Sequence, residues 1–294
     1  MKIKSSFSRK VFVVINTTIM IVLAALCLAP MVHVLAISLS SSHAATAGWV
    51  TFWPVYPTLQ SYAFVMTRDA FWLSLWVTIQ RVGIGTPLNL LLIILIAYPL
   101  SKEAHRFRFR TAYAWIFFFT MLFSGGLIPL FILVFNLRLM DTIWSLVLPG
   151  AVPVFSVILM LNFFRQIPKE LEEAAFIDGA GHWKTLFQIY VPCSLPAIAT
   201  IALFSIVHHW NSWFDGMIFS NFPTSFPLQT YLRSIIVMRD ITTMGIEEIR
   251  FMTLISDRTV RAAQIFIGAL PIIAVYPFLQ RYFIKGIVVG SVKE

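Results

Sequence analysis

The sequence contains few charged residues, which excludes an ordinary soluble fold. Only 12% of its 294 residues are charged, whereas 59% are hydrophobic and the mean hydropathy is +0.82. A soluble globular chain has about 25% charged residues. The composition therefore predicts a single integral membrane domain, residues 1–294, without a large soluble attachment.

Several motifs that carry chemistry are also missing. The chain lacks the G-x4-G-K-[ST] loop that cradles ATP phosphates and the H-E-x-x-H motif of zinc proteases. Its two cysteines, Cys27 and Cys193, are expected near opposite ends of the bilayer, so no disulfide framework is implied. We expect no catalytic residue, no metal site and no cofactor bound by this chain.

Long apolar runs make up most of the sequence. Crossing a bilayer takes about 20 apolar residues, and six segments meet this length: Val11–Ser38, Leu73–Leu100, Thr111–Phe135, Ile143–Phe164, Leu195–Ser220 and Ala262–Phe283. The first is too long for a signal peptide, whose apolar region has about 7–15 residues. We therefore expect a retained helix and an all-α polytopic fold with six transmembrane helices.

Basic residues are distributed unequally between the connections. Four lie at the amino terminus, four in the second connection, three in a polar loop before the fifth span and three in the tail, against one each in the first and third connections. Because cytoplasmic loops are enriched in lysine and arginine, both termini and the polar loop are predicted to face the cytoplasm. The last outer connection, residues 221–261, carries five arginines, but long loops count little in this rule. The net charge of +9 is thus mainly a topology signal, not a sign of nucleic acid binding.

The polar loop, residues 165–194, is longer than the roughly 2–8 residues of most helix connections. Pro168 predicts the start of a first short helix, at whose first position the missing N–H of proline is harmless. Gly179 can turn left-handed after that helix. We expect Glu172 and Asp178 to remain solvated.

A second short helix is predicted from His182 to Tyr190. It places Trp183, Leu186, Phe187 and Tyr190 on one stripe. An exposed helix with such a stripe needs a partner surface. The alternative is an interfacial helix that lies on lipid headgroups.

The same loop carries a family motif. Glu173-Ala174-Ala175, three residues, Gly179, nine residues and Ile189-Tyr190-Val191-Pro192 resemble the EAA-x3-G-x9-I-x-L-P loop of ABC-importer permeases, with Val191 in place of leucine. In that family the loop is the coupling helix, which docks into a groove on a separate cytoplasmic ATPase subunit. The resemblance implies a type I ABC-importer permease fold, and it assigns ATPase coupling to Glu173, Ala174, Ala175, Asp178, Gly179, Trp183 and Phe187.

Polar residues interrupt the fifth apolar run. Trp210, Asn211, Trp213 and Asp215 offer the stacking faces and hydrogen-bonding groups that a sugar ring needs, so they are candidates for the substrate pathway. Asn211 and Asp215, four residues apart, are expected on one helix face. The alternative is a helix–helix contact joined by polar side chains. The stretch also resembles the WN-x-[FW] segment in the fifth helix of carbohydrate permeases.

Two polar residues of the second span have other interpretations. Arg81 lies near its start and could reach the outer interface by snorkelling. Asn89 lies deeper, and it is either a packing element or part of a pore.

The outer connection contains an amphipathic pattern. Leu228, Tyr231, Leu232 and Ile235 have the spacing of a short helix that lies at the outer interface. It could cap the outer mouth, contact an external binding protein, or attract an anionic substrate. Acidic residues in the segment leave one net positive charge, which weakens the last option. A later apolar run, Ile246 to Ile255, is broken by charged residues.

The tail carries a second resemblance. The run Tyr276-Pro277-Phe278-Leu279-Gln280 and the glycine-lysine pattern after it are similar to the ending of permeases for larger saccharides, such as oligouronides and alginate-like polymers.

Together the motifs identify the chain as a member of the ABC-importer carbohydrate permeases, a multi-pass protein of the bacterial inner membrane. The resemblance implies a non-catalytic subunit that works with a second, non-identical permease, with two ATPase subunits that bind ATP and Mg, and with an extracytoplasmic solute-binding protein. An ATP-independent secondary transporter would leave the loop unexplained. A polytopic membrane enzyme such as a glycosyltransferase would need an acidic pair or a metal cluster, and the sequence has neither at suitable spacing.

Overall fold

The computed structural model describes residues 7–237 and 256–291, and every regular element in these ranges is helical. The helices are α1 (Phe7–Ser38), α2 (Ser42–Thr46), α3 (Gln60–Met66), α4 (Asp69–Ser101), α5 (Arg110–Leu122), α6 (Leu127–Asn136), α7 (Ile143–Val147), α8 (Val154–Gln166), α9 (Lys169–Ile177), α10 (His182–Thr185), α11 (Val191–Cys193), α12 (Leu195–Asn211), α13 (Phe214–Phe219), α14 (Leu228–Val237) and α15 (Asp257–Ser291). They form two compact units. The first contains residues 7–69, 235–237 and 256–270, and the second contains residues 70–234 and 271–291.

In the first unit, the end of α1 packs against the short helix α2. Ala36 and Ile37 of α1 are buried against Ala44 and Ala45, and Ala262 joins the same cluster. Small side chains of this kind let helices approach closely. Most of α1 is exposed apolar surface, as expected for a helix that is hydrophobic all round and surrounded by lipid.

The membrane-crossing helices agree only in part with the six predicted spans. Within the described residues, α1 and α4 are long and apolar enough to cross a membrane alone. Three bent pairs raise the number to five if each pair is one span: α5 with α6 at 109°, Ile143–Gly150 with α8 at 51°, and His182–Cys193 with α12 at 81°. The predicted sixth segment lies within α15. The count of six and the orientation of the termini therefore stay predictions.

The third predicted span, Thr111–Phe135, is divided between two helices. Between α5 and α6 the chain turns at Gly126, whose φ is +87°, a value that residues with side chains rarely adopt. Pro129 follows in the first turn of α6, where it removes no intrahelical hydrogen bond. Glycine and proline together therefore break the apolar run.

The core of the second unit lies where α4, α8, α12 and the end of the polar loop meet. Ile93, Met160, Phe164, Leu186 and Ile201 are all buried in one apolar cluster. This cluster contains side chains from the loop as well as from long helices, so the loop is part of the packed structure.

Candidate functional site

The polar loop forms two helical segments that are joined by a tight turn at Gly179. Its φ is +78°. Its N–H donates to the carbonyl of Phe176 at 3.1 Å, and the N–H of Ala180 donates to the carbonyl of Ala175 at 2.9 Å. This pair of hydrogen bonds is the Schellman motif, so the prediction of a left-handed glycine is confirmed. Pro168 is the residue before α9 rather than its first residue.

The second segment is not the regular helix that was predicted. Its second half, Leu186–Tyr190, is a π-helical turn, which holds more residues per turn than an α-helix and so changes the direction of successive side chains. Leu186 and Tyr190 are buried, whereas Trp183 and Phe187 are 67% and 47% exposed. The prediction of a single stripe is therefore wrong, because two members face the core and two face outward.

The outward side chains form an exposed apolar surface. The rings of Trp183 and Phe187 stack with their centroids 6.1 Å apart and an interplanar angle of 7°. Ile177, at the end of α9, is 86% exposed, and Glu173 is exposed one turn earlier. We call Glu173, Ile177, Trp183 and Phe187 the docking surface. Of the other predicted coupling residues, Ala174, Asp178 and Gly179 are exposed and Ala175 is buried.

Glu172 is buried, and the expectation that it is solvated is wrong. Its Oε1 lies 2.9 Å from Lys102 Nζ and 3.3 Å from Arg106, and the Tyr190 hydroxyl donates to its Oε2 at 2.7 Å. Lys102 Nζ also lies 3.9 Å and 4.0 Å from the ring centroids of Tyr98 and Tyr190. We call these five residues the anchor cluster. It ties the loop to the chain that immediately follows α4.

Opposing effects set the charge state of the anchor cluster. Burial would raise the pKa of Glu172, but the contacts with Lys102 and Tyr190 and the nearby Arg106 outweigh it, so this pKa lies below its ordinary value of 4.5. Burial lowers the pKa of Lys102 below its ordinary 10.5, although Glu172 opposes that change. At neutral pH the loop is therefore held by a buried carboxylate.

The fifth span ends earlier than predicted. α12 stops at Asn211, Ser212 is extended with ψ of 127°, and α13 begins at Phe214. The backbone N–H and the hydroxyl of Ser212 both donate to the carbonyl of His208, so the serine side chain competes with the helix for an acceptor. The prediction that Asn211 and Asp215 share one helix face is therefore wrong.

An ion pair holds the broken end of this span. Arg81 of α4 is 1% exposed, and both of its terminal nitrogens contact the carboxylate of Asp215. Its Nε lies 3.4 Å from Nδ1 of His209. The expectation that Arg81 snorkels outward is wrong, because a buried arginine needs a counter-charge and Asp215 supplies one. We call Arg81 and Asp215 the clamp.

Polar contacts continue from the clamp between α4 and α12. The amide nitrogen of Asn89 lies 3.4 Å from Nε2 of His209 and 3.1 Å from Oγ of Ser205. Gly85 makes room for the histidine, since a Cβ at that position would lie 2.5 Å from its Nε2. The burial of Asn89 favours the packing interpretation over the pore.

An open cavity of about 530 Å³ lies beside the break after α12. Asn211, Trp213 and Asp215 line it, whereas Trp210 is buried and does not. The guanidinium carbon of Arg233, on α14, lies 3.7 Å from the ring centroid of Trp213. The structure therefore brings three of the four predicted pathway residues together at one cavity.

The helix predicted in the outer connection is present as α14. Leu228 and Tyr231 of the predicted stripe are buried, and the Leu228 N–H donates to Oγ1 of Thr78 on α4 at 2.7 Å. This part of the stripe therefore packs against protein rather than lying at the lipid interface. The side chain of Ile235 and the run from Ile246 to Ile255 lie outside the described residues.

Comparison with known proteins decides the family. The sequence pattern of the family described as binding-protein-dependent transport system inner membrane component matches residues 89–289. The chain belongs to this family. It is 35% identical over 274 residues to the polygalacturonan/rhamnogalacturonan transport system permease protein YtcP of Bacillus subtilis, over 93% of this chain and 95% of that protein.

Solved structures agree with this assignment. One is a chain of a bacterial ABC transporter involved in the import of the acidic polysaccharide alginate, with a TM-score of 0.85 and 33% identity over 96% of this chain and all (100%) of that one. A chain of an alginate transporter in complex with an alginate pentasaccharide-bound periplasmic protein shares the fold, with a TM-score of 0.55 and 15% identity over 91% and 92% of the two chains. The protein is therefore a transport subunit of an ABC importer with an all-helical permease fold.

Sequence reasoning missed the charged residues that hold the two candidate sites of this permease. Arg81 belongs to the clamp, and Lys102 and Glu172 belong to the anchor cluster. A signal was present for Arg81, because a charge within a span is expected to pair with an opposite charge. Asp215, in the fifth apolar run, was the available carboxylate.

Proposed function

We propose that this permease is the translocation subunit of an ATP-driven importer of acidic, uronate-type oligosaccharides. The Bacillus subtilis relative named for polygalacturonan and rhamnogalacturonan and the solved transporter for alginate support this substrate class. Six membrane spans, cytoplasmic termini and a place in the bacterial inner membrane belong to the same proposal.

The exposed stack of Trp183 and Phe187 is the observation that carries the coupling role. Large aromatic side chains that meet a pocket are the usual anchors of a protein interface. The docking surface would therefore fill a groove on the ATPase. The loop beneath it is fixed by the anchor cluster, so a movement of the ATPase would pass to α4 instead of being absorbed by the loop.

The cavity at Trp213 is the proposed place of contact with the saccharide. The ring of Trp213 can stack on a sugar face, while Asn211 and Asp215 can bind hydroxyl groups. Arg233 lies over one face of the ring, which leaves the other face for the sugar, and its charge suits the carboxylate of a uronate.

The remaining parts of the importer come from other chains. We propose a second, non-identical permease, two ATPase subunits that bind ATP and Mg, and an extracytoplasmic binding protein that delivers the saccharide. This chain is then non-catalytic and binds no cofactor. An ATP-independent transporter would have no use for the docking surface.

The test is reconstitution of the complete complex in vesicles with its binding protein. We expect ATP-dependent uptake of a labelled oligogalacturonide and no uptake of a neutral maltooligosaccharide of equal length. Uptake without ATP would contradict the importer, and equal uptake of the neutral saccharide would contradict the substrate class.

The docking surface has its own test in the same complex. Trp183→Ala combined with Phe187→Ala should abolish copurification of the ATPase, whereas Gln188→Ala, an exposed neighbour on the same segment, should not. Retention of the ATPase by the double variant would contradict the assignment of this surface.

A further inference from the structure

Two adjoining cavities of the second unit share a wall that contains two arginines. The first, of about 370 Å³, is polar and borders the loop, with Lys102, Lys169 and Glu172 in its lining. The second, of about 350 Å³, is an apolar crevice between α5 and α8. Arg110 and Arg165 line both cavities, so a positive charge lies where the polar space meets the apolar one.

Within the described residues, these two arginines face no carboxylate at ion-pair distance. In the part of the chain that the structure describes, neither forms an ion pair with a carboxylate, unlike Lys102, Arg106 and Lys169 nearby. One N–H of Arg110 donates to the carbonyl of Lys102 at 3.0 Å, and one N–H of Arg165 donates to that of Leu100 at 3.4 Å. Each guanidinium has five donors, so most of them are available to an anion between the two like charges.

The start of α5 adds to the positive potential. α5 is 13 residues long and begins at Arg110, and its first turn contains no acidic residue. The residue before it, Phe109, has no side-chain acceptor for the free N–H groups of that turn. Helix N-termini of this kind attract anions. Thr111, the second residue of α5, lines the apolar crevice, so the helix start and the crevice belong to one site.

The apolar lining of the crevice favours a lipid over a soluble anion as the ligand of the two arginines. Its walls include Ala114, Trp115, Phe118, Val157 and Leu161, which offer nothing to an inorganic phosphate. An acyl chain would fill it, and the phosphate of the same molecule would then reach the arginines. Basic pockets between helices on the cytoplasmic side of a membrane bind anionic headgroups in this way.

We propose that an anionic phospholipid occupies both cavities, with its phosphate between Arg110, Arg165 and the start of α5 and one acyl chain in the crevice. This site rests on the proposed orientation, which places the loop at the cytoplasmic surface. The polar cavity also contains Lys169 and Glu172, so the bound headgroup lies beside the residues that fix the coupling loop.

The test is native mass spectrometry of the intact transporter complex titrated with phosphatidylglycerol. Arg110→Gln combined with Arg165→Gln should weaken binding about thirtyfold, which corresponds to about 1 kcal/mol for each arginine. Arg108→Gln is the matched control, because Arg108 is exposed on the same connection and lines neither cavity. Unchanged binding by the double variant, or an equal loss in the control, would overturn the site.

A second variant separates a lipid from a free anion. Ala114→Trp keeps both arginines but fills the crevice, so it should lose phosphatidylglycerol. Wild-type lipid binding by this variant, or displacement of the lipid by millimolar inorganic phosphate, would overturn the lipid assignment. Copurification of the ATPase reports whether each variant is folded. Binding is measured without saccharide or ATP, so a failure of this site is distinguishable from a failure of the proposed transport function.

Discussion

Replacing Glu172 by glutamine removes the charge at the centre of the anchor cluster. Lys102 is then left buried between the rings of Tyr98 and Tyr190, and its former carboxylate partner is replaced by a neutral amide beside Arg106, another cation. Removing one partner of a buried ion pair costs about 3–5 kcal/mol. The loss of stability cannot exceed the free energy of deprotonating Lys102, since the lysine can lose its proton. From the ordinary pKa of 10.5, deprotonation at pH 7 costs about 4.8 kcal/mol. We therefore expect Glu172→Gln to destabilise the complex by about 3–4.5 kcal/mol.

The sign of the pH dependence distinguishes this reasoning from a simple packing defect. In the variant the folded-state pKa of Lys102 falls further below its unfolded value, so the folded state binds fewer protons between these values and its stability rises with pH. The deficit of Glu172→Gln should therefore shrink from pH 7 to pH 9. In the wild type, the lowered pKa of Glu172 contributes stability above pH 4.5, which is lost as the pH falls through the folded-state pKa.

The assay is thermal unfolding of the purified complex at pH 7 and pH 9. Glu170→Gln is the matched control, because Glu170 is an exposed residue of the same helix and should change little. If Glu172→Gln melts at the same temperature as this control, the anchor cluster does not hold the loop. A deficit that is independent of pH would contradict the electrostatic origin.

Three further predictions concern the turn, the clamp and the cavity. Gly179→Val should lower the free energy of unfolding by about 1–2 kcal/mol because a side chain disfavours a left-handed backbone, and it should uncouple ATP hydrolysis from uptake. Gly181→Val is the control, because Gly181 has a φ of −81°. Normal substrate-stimulated hydrolysis in the Gly179 variant would argue against the coupling role. Asp215→Asn should cost about 3–5 kcal/mol by leaving Arg81 unpaired, whereas Arg81→Met with Asp215→Leu should recover much of the melting temperature. If that double variant also recovers uptake, Asp215 has no role in the pathway. Asn211→Ala should lower uptake without changing the melting temperature. Uptake at the wild-type rate would show that Asn211 takes no part in the pathway.

The parts of the site that are local in sequence could be predicted. The turn at Gly179 depends on a backbone angle that glycine adopts readily, and the hydrogen bonds of the motif join residues within one turn of helix. The helix at Leu228 was likewise visible as a pattern of apolar residues. Both features are determined by neighbours along the chain.

The wrong predictions concern places where residues that are distant in sequence determine the local structure. The burial of Glu172 depends on Lys102, far away in sequence, and only packing brings the two together. The π turn contains no glycine or proline of its own, and its buried Tyr190 contacts Glu172, which lies 18 residues earlier. The break after Asn211 depends on a serine hydroxyl and on the clamp, so residue spacing alone wrongly placed Asp215 on the face of Asn211.

Helix α4 connects the two candidate sites. Arg81 holds the broken fifth span, and Lys102, immediately after the end of α4, holds the polar loop. The two residues are about 30 Å apart along the helix at 1.5 Å per residue. Pro87 and Pro99 lie between them, and each removes an intrahelical hydrogen bond, so α4 can bend at these points. A displacement of the loop by the ATPase would therefore reach the clamp as a tilt or a bend of α4, and breaking either tie should stop transport even when the other site is intact.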